Sequence, residues 1–530
     1  MRFSIALLAL VFCAFVVPPA NAARILGFFP SPSRSHLLIH CAVADTLARA
    51  GHNVTVIATK PNMYPKAPYN YIQLDTPLLP DTFMNVLVND PPPFYKRYPM
   101  LLSEVTKMNN RTLSHPDLQE FLRNHGEDAF DLLLLGYFGN EFHLGLGAHF
   151  KCPVVISFMM QPFFVINELI GNPSEHAYVP TLFSGLKQPM DFWARLQNYL
   201  TTLFEYYYMS PMLERAEQKY YSYNFPTSSG YPSLEEARHN VALIFANHWF
   251  TQGPVRPNVP NLIEIGGIQI KQHPDPLPAD IAELLDGSPE GVIYFSLGSN
   301  IQGKHLQADK ARIMYSVVSK LPYKVLWQWG DSGYPGNSSN IVYKNWLPQS
   351  DVLAHPNVKL FITHGGKGSV VESQYHGVPM VGIPLFGDQP VNVLDVQQLG
   401  MGVYVSYADL TEERLRQAVE EVLHNPKYTE TVRNFSKLYR DRPMTAHQTV
   451  VWWVDYVLRH KGAFHMQSPA VYMKRWQLMS LDVLGFLLTI IITVISLALA
   501  SVYWLAKRCR GGMKGKTNIK NGVTKAKKVK

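Results

Sequence analysis

The chain has 530 residues, 47% of them hydrophobic and 17% charged, enough for more than one large core. Its formal charge of +8 belongs to one end: residues 507–530 hold ten Lys or Arg and no acid, which leaves −2 for everything before them. That balance argues against nucleic-acid binding by the body, and four cysteines are too few for a disulfide framework.

Met1-Arg2, the apolar run Phe3 to Val17 and the small-residue pattern Ala20-Asn21-Ala22 form a secretory leader, residues 1–22, cut after Ala22. Cys13 leaves with it, while Cys41 and Cys152 flank apolar stretches and read as buried free thiols. A first lobe, 23–271, opens with a strand at Arg24 to Phe29, a Pro/Ser loop at Pro30 to Ser35, a helix over His36 to Ala50 and a strand at Val54 to Ala58. This is a β-α-β unit in which Ser35 is the expected cap and His36 begins the helix. Strands at Leu132 to Leu135 and Val154 to Phe158, with a helix between them, extend it into an α/β lobe with a parallel sheet. Gly171 to Pro254 is aromatic and irregular, including Phe204-Glu205-Tyr206-Tyr207-Tyr208. It reads either as a wall around a hydrophobic ligand or as packing helices of an enlarged lobe.

Gln272 to Asp286 is Pro-rich and reads as a linker. A second Rossmann-like α/β lobe, 287–440, follows, with its first strand at Val292 to Leu297. Its most informative stretch is Val358 to Gly402. Val358 to Thr363 is a short β-favouring run, His364-Gly365-Gly366 is turn chemistry, and Ser369 to Tyr375 is helical. A helix start after such a turn leaves N–H groups unpaired and carries roughly half a positive charge, so it attracts a diphosphate. The helix stops at His376-Gly377 and Val378-Pro379, and a strand at Met380 to Pro384 delivers the loop Phe386-Gly387-Asp388-Gln389. In an open parallel sheet both loops face one crevice beyond the strand ends.

Residues 441–482 would return across the first lobe and lead to Val483 to Ala506, a span without a charged residue and long enough to cross a bilayer. Trp476 and Tyr503-Trp504 sit near its edges, where amphipathic rings are favoured. The basic tail, 507–530, which includes Cys509, belongs in the cytosol by the positive-inside rule, and the body in a lumen. Sequons occur at Asn53, Asn110, Asn337 and Asn434, of which Asn337 is the plausible exposed acceptor and Asn53, at a buried strand, is not.

The ordered set WLPQ at Trp346 to Gln349, THGG, Glu372, HGVP and GIPLFGDQ resembles the donor-binding signature of the UDP-glycosyltransferases, most like the insect membrane-bound members. The resemblance spans nearly the whole chain. It implies a glycosyltransferase-B fold, two facing α/β lobes, plus one C-terminal transmembrane helix. It implies a hexose, glucose more than glucuronate, moved with inversion from a UDP-sugar co-substrate to a small lipophilic hydroxyl compound, without a metal or other cofactor. Trp346 would meet uracil, Gln349 the uridine, Ser299 and the amides after His364, Gly366 among them, the diphosphate. Glu372 would accept from the ribose, Asp388 with Gln389 would hold the sugar, and His36 in FxPSxSxSH would be the general base. The final Lys527-Lys528-Val529-Lys530 resembles a dilysine retrieval signal, which implies a single-pass type I protein of the endoplasmic reticulum membrane, with a homo-oligomer left open.

One departure stands out. The family orients its base with an aspartate where FDLLLLGYFGNEF here has Gly136, and Glu141 is the expected substitute. Two readings follow: a working transferase, or a catalytically silent lipophile-binding protein that keeps the fold.

Overall fold

The computed structural model describes residues 22–524 apart from 32, 77–78, 183, 300 and 331–332. The leader up to residue 21 and the dilysine-like terminus lie outside the described residues. Residues up to Ser468 form one unit and those from Pro469 another.

The first lobe is built on β1 (Arg24–Phe29), α1 (Arg34–Arg49), β2 (Asn53–Ala58) and β3 (Asn70–Gln73). Helices α2 (Asp81–Asn89) and α3 (Phe94–Leu113) then lead to β4 (Leu132–Tyr137) and β5 (Val154–Phe158). Helix α4 (Phe192–Phe204) precedes β6 (Val241–Ala246) and β7 (Leu262–Glu264). All seven strands are parallel, in the order β3-β2-β1-β4-β5-β6-β7. The central strands are apolar throughout because helices cover both faces of the sheet. Each of Leu132 to Leu135 is fully buried and contributes roughly 1.5–3 kcal/mol to the lobe.

Helix α1 starts two residues earlier than the sequence pattern suggests. Ser33 is its N-cap, its side chain accepting from the N–H of Ser35, so Ser35 is not the cap and His36 is the third helical residue. The aromatic stretch 171–254 resolves into loops and helices that lead into the buried strand β6. Met209, Leu213, Tyr221 and Phe225 pack into the first-lobe core, while Trp193 stays 72% exposed on α4.

The expected linker is partly helical. Prolines at 274, 276 and 278 lead into α5 (Ala279–Asp286), with Pro278 as N-cap, and Ile281 and Leu285 sit in a second-lobe core. That lobe continues through β8 (Val292–Ser296), β9 (Lys324–Gln328), β10 (Ile341–Lys344) and β11 (Val358–Thr363). Helix α6 (Lys367–His376), β12 (Met380–Gly382), α7 (Gln389–Gln398) and β13 (Gly402–Tyr404) complete it. The six parallel strands run β10-β9-β8-β11-β12-β13. Strand periodicity divides β8 between two cores, Ile293 and Phe295 into one, Val292 and Tyr294 into the other.

Both sheets reverse strand order once, at β1/β4 and at β8/β11, and the strand ends at these points flank one cleft of about 2150 Å³. The lobes also share a segment. Met84, Leu87 and Val88 of α2 lie in the second-lobe core, and Asp81 pairs with Lys304 at 2.8 Å and His305 at 3.1 Å. Tyr98 of α3 donates to the carbonyl of Gly387 at 2.7 Å. The chain then returns through α8 (Ala446–Arg459), whose Val450, Val454 and Val457 complete the first-lobe core beside α1.

The second unit contains α9 (Leu481–Thr524). Its stretch Leu481–Arg510 is long and apolar enough to cross a membrane, about 45 Å at 1.5 Å per residue.

Candidate functional site

The second lobe lines its side of the cleft with a preset polar network. After β8 the chain turns through Gly298, at φ +81°, to Ser299; after β11 it reaches His364 and Gly366. The His364 ring is held between the two glycines: a Cβ on Gly298 or on Gly366 would stand 2.6 Å from it. No side chain fits at either position without moving the histidine. Burial pushes His364 down to about 4, so the ring is neutral beside the α6 N-terminus.

Gln349 and Glu372 form the second group. Gln349 Nε2 donates to Glu372 Oε2 at 2.7 Å and to Ser369 Oγ at 2.9 Å, and Gln349 Oε1 accepts from Tyr294 at 3.2 Å. Burial lifts Glu372 to about 7 against the opposing bond from Gln349. Trp346 is half exposed, and the Arg34 guanidinium of α1 stands 5.9 Å from its ring centroid, reaching from the other lobe.

Asp388 and Gln389 complete the donor side. Asp388 accepts from Asn392 Nδ2 at 2.7 Å. Its pKa is raised by burial, with hydrogen bonding, that from Asn392 first, opposing. Asn392 also donates to the Gly365 carbonyl at 3.0 Å, clamping the two loops together. Gln389 differs from the sequence expectation. Its Oε1 accepts from the N–H of Leu385 and of Phe386, at 2.9 and 3.1 Å, which leaves only its NH₂ for a ligand. Lys367, the first residue of α6, also lines the cleft and went unassigned although it directly follows THGG.

On the first-lobe side, His36 lines the same cleft, edge-on to Phe138 with ring centroids 5.5 Å apart. Its Nδ1 is buried, and burial pushes the ring down to about 4. The same lobe lines the cleft with apolar residues, Met63, Leu102, Met159, Met160 and Phe163 among them, and with polar ones such as Arg34, Lys60, Asn62 and Asp75. Among the described residues none between 171 and 254 lines this cleft, so the aromatic stretch is not the wall.

Glu141 is not brought to His36. Beyond β4 the backbone turns at Gly139, φ +62°, and puts Glu141 in a short 3-10 helix facing the interior. There its Oε2 accepts from Arg238 Nε at 2.7 Å and its Oε1 from Tyr137 at 3.3 Å. It does not line the cleft, and its ion pair with Arg238 is structural.

The remaining predicted residues, Ser299, Trp346, Gln349, His364, Gly366, Glu372, Asp388 and Gln389, all line the cleft together with His36. Comparison with known proteins agrees in kind. Residues 31–517 match the family model described as UDP-glucoronosyl and UDP-glucosyl transferase. UDP-glycosyltransferase UGT5 of Dactylopius coccus is 36% identical over 487 residues, 90% of this chain and 91% of that one. UDP-glucosyltransferase 2 of the same insect is 30% identical over 526 residues, covering 96% and 99%. Human UDP-glucuronosyltransferase 2A2 is 31% identical over 493 residues, covering 88% and 89%. Among solved structures, the glycotransferase of kitacinnamycin aligns with TM-score 0.54 at 20% identity, over 83% of this chain and 99% of that one. The calicheamicin glycosyltransferase CalG4 aligns with TM-score 0.52 at 18% identity, over 83% and 99%. These two show a shared fold, the two-lobed glycosyltransferase-B architecture. With its family model matched nearly end to end, this chain belongs to the UDP-glucoronosyl and UDP-glucosyl transferase family and is a UDP-sugar-dependent hexosyltransferase.

Proposed function

We propose that the protein moves glucose from UDP-glucose to the hydroxyl of a small lipophilic acceptor, in one inverting displacement with His36 as general base. The observation that carries this reading is the single cleft lined by His36 from one lobe and by the donor-signature residues from the other. With Nδ1 of His36 buried, Nε2 is the nitrogen left for an acceptor hydroxyl. A ring that is neutral at pH 7 is ready to take that proton. As the acceptor oxygen bonds to the anomeric carbon, its proton passes to Nε2, and the bond to the β-phosphate oxygen breaks with its electron pair leaving on UDP. One displacement inverts the centre. The α6 N-terminus and the Lys367 ammonium face the charge that develops on UDP, so the step needs neither a metal nor another cofactor.

Trp346 offers uracil its indole face, Gln349 meets the uridine, Ser299 and the amides around Gly366 take the diphosphate, Glu372 accepts from the ribose, and Asp388 with the Gln389 NH₂ holds the sugar. The apolar part of the first-lobe lining, Met63, Leu102, Met159, Met160 and Phe163, supports a lipophilic acceptor. The C-terminal span and basic tail support a lumenal body in the endoplasmic reticulum membrane.

The test is UDP release by microsomes carrying the chain, with UDP-glucose and UDP-glucuronate against a panel of phenols, beside His36→Ala. Turnover with UDP-glucose that His36→Ala abolishes is the expected result. Preference for UDP-glucuronate overturns the donor assignment, and silence despite measurable UDP binding favours a lipophile-binding protein that keeps the fold.

A further inference from the structure

A base histidine needs its second nitrogen fixed, and Nδ1 of His36 is buried with no hydrogen-bond partner among the described residues. One turn along α1, on the same helix face, stands His40, 1% exposed. Its Nδ1 lies 2.8 Å from Ser157 Oγ on β5, and its ring stacks on Phe29 of β1 with centroids 5.3 Å apart. The same ring sits over Gly136 of β4. A Cβ there would stand 3.0 Å from His40 Cδ2 and 3.2 Å from Nε2, so a larger residue at 136 and the imidazole at 40 compete for one space. Burial lowers the pKa of His36, and burial followed by the nearness of His36 lowers that of His40.

We propose that His40 is the positioning residue of the base, its Nδ1–H donated to Ser157 and its Nε2 lone pair accepting from His36 Nδ1–H. The bond closes when substrates are bound, as catalytic hydrogen bonds commonly tighten only in the complex. Gly136 provides the room. During transfer the acceptor proton moves to His36 Nε2, and the protons on His36 Nδ1 and His40 Nδ1 stay in place, so a neutral ring faces the imidazolium. This rests on His36 as the base.

The test is UDP release by the full-length chain in microsomes, with UDP-glucose and 4-nitrophenol, followed across pH. Wild-type turnover and a dead His36→Ala establish the underlying reading first; failure there overturns both. His40→Ala is then expected to lower kcat by about tenfold or more at unchanged donor KM, with His40→Gln retaining part because its amide oxygen can accept. Gly136→Asp alone is expected to lose activity through crowding. The double variant His40→Ala/Gly136→Asp, with space for a carboxylate, is expected to recover most of the lost kcat and to move the acid limb of kcat/KM upward by about one pH unit or more. An unchanged kcat and acid limb in His40→Ala overturns the proposal. So does a double variant that binds UDP normally yet is no more active than His40→Ala.

Discussion

The two lobes share one topology and furnish the cleft in opposite ways. On the second-lobe side Gln349 and Glu372 hold each other, Asn392 holds Asp388 and backbone N–H groups hold Gln389 before any ligand arrives. On the first-lobe side apolar residues that include Met63, Met159 and Met160 line the cleft alongside His36 and polar side chains such as Arg34, Lys60 and Asp75. A prearranged polar network discriminates strongly, because a ligand that fails to match leaves buried groups unpaired. An apolar wall with flexible thioethers discriminates weakly and repacks. On the proposed function, the second lobe would discriminate among donors more sharply than the first among acceptors.

The largest test of that contrast removes the base. His36→Ala should lower kcat/KM by about 10³-fold, with UDP affinity by calorimetry unchanged. Next is Glu141→Gln, which breaks the buried ion pair with Arg238: unfolding in urea should show about 3 kcal/mol lost, while kcat stays within a few-fold. A collapse of kcat with intact stability would restore Glu141 to the reaction. On the donor side, Glu372→Gln should raise donor KM about tenfold. With Glu372 lifted to about 7 by burial and proposed to bind ribose as the ionised acceptor, wild-type donor affinity should rise as pH rises through 7, and the variant should lose that dependence. The folded-state value lies above the ordinary carboxylate value. The same group therefore favours folding at low pH, and that contribution is lost as pH climbs from about 4.5 through 7. Smallest is Met160→Ala, expected to change acceptor KM by about two- to fivefold with donor KM fixed. An equal change in donor KM would erase the division between the lobes.

The same contrast explains what could be read from the sequence. Residues 364–389 of the candidate donor site are nearly contiguous and fall at successive strand ends, so turn and strand chemistry alone places them around one crevice. The parallel sheets were equally legible, since runs such as Leu132 to Leu135 admit no solvated face. The first-lobe lining of the cleft is assembled from segments near 63, 102 and 160, which no local pattern joins. Aromatic density misled at 171–254 because a ring that packs a helix and one that faces a ligand look alike in sequence. Glu141 misled for a local reason, one left-handed glycine upstream that redirects the backbone. His40 gave no signal until Gly136 was seen beneath it.

Helix α2 belongs to the first lobe by sequence and to the second by packing, with Met84, Leu87 and Val88 in the second-lobe core. Amide exchange along α2 should therefore follow that of β8 and β11, and exchange that instead matched β1 would contradict it. Helix α2, carrying Asp81 and its pairs to Lys304 and His305, is thus fastened to the second lobe, and its Asp81, Met84 and Leu87 line the cleft from there.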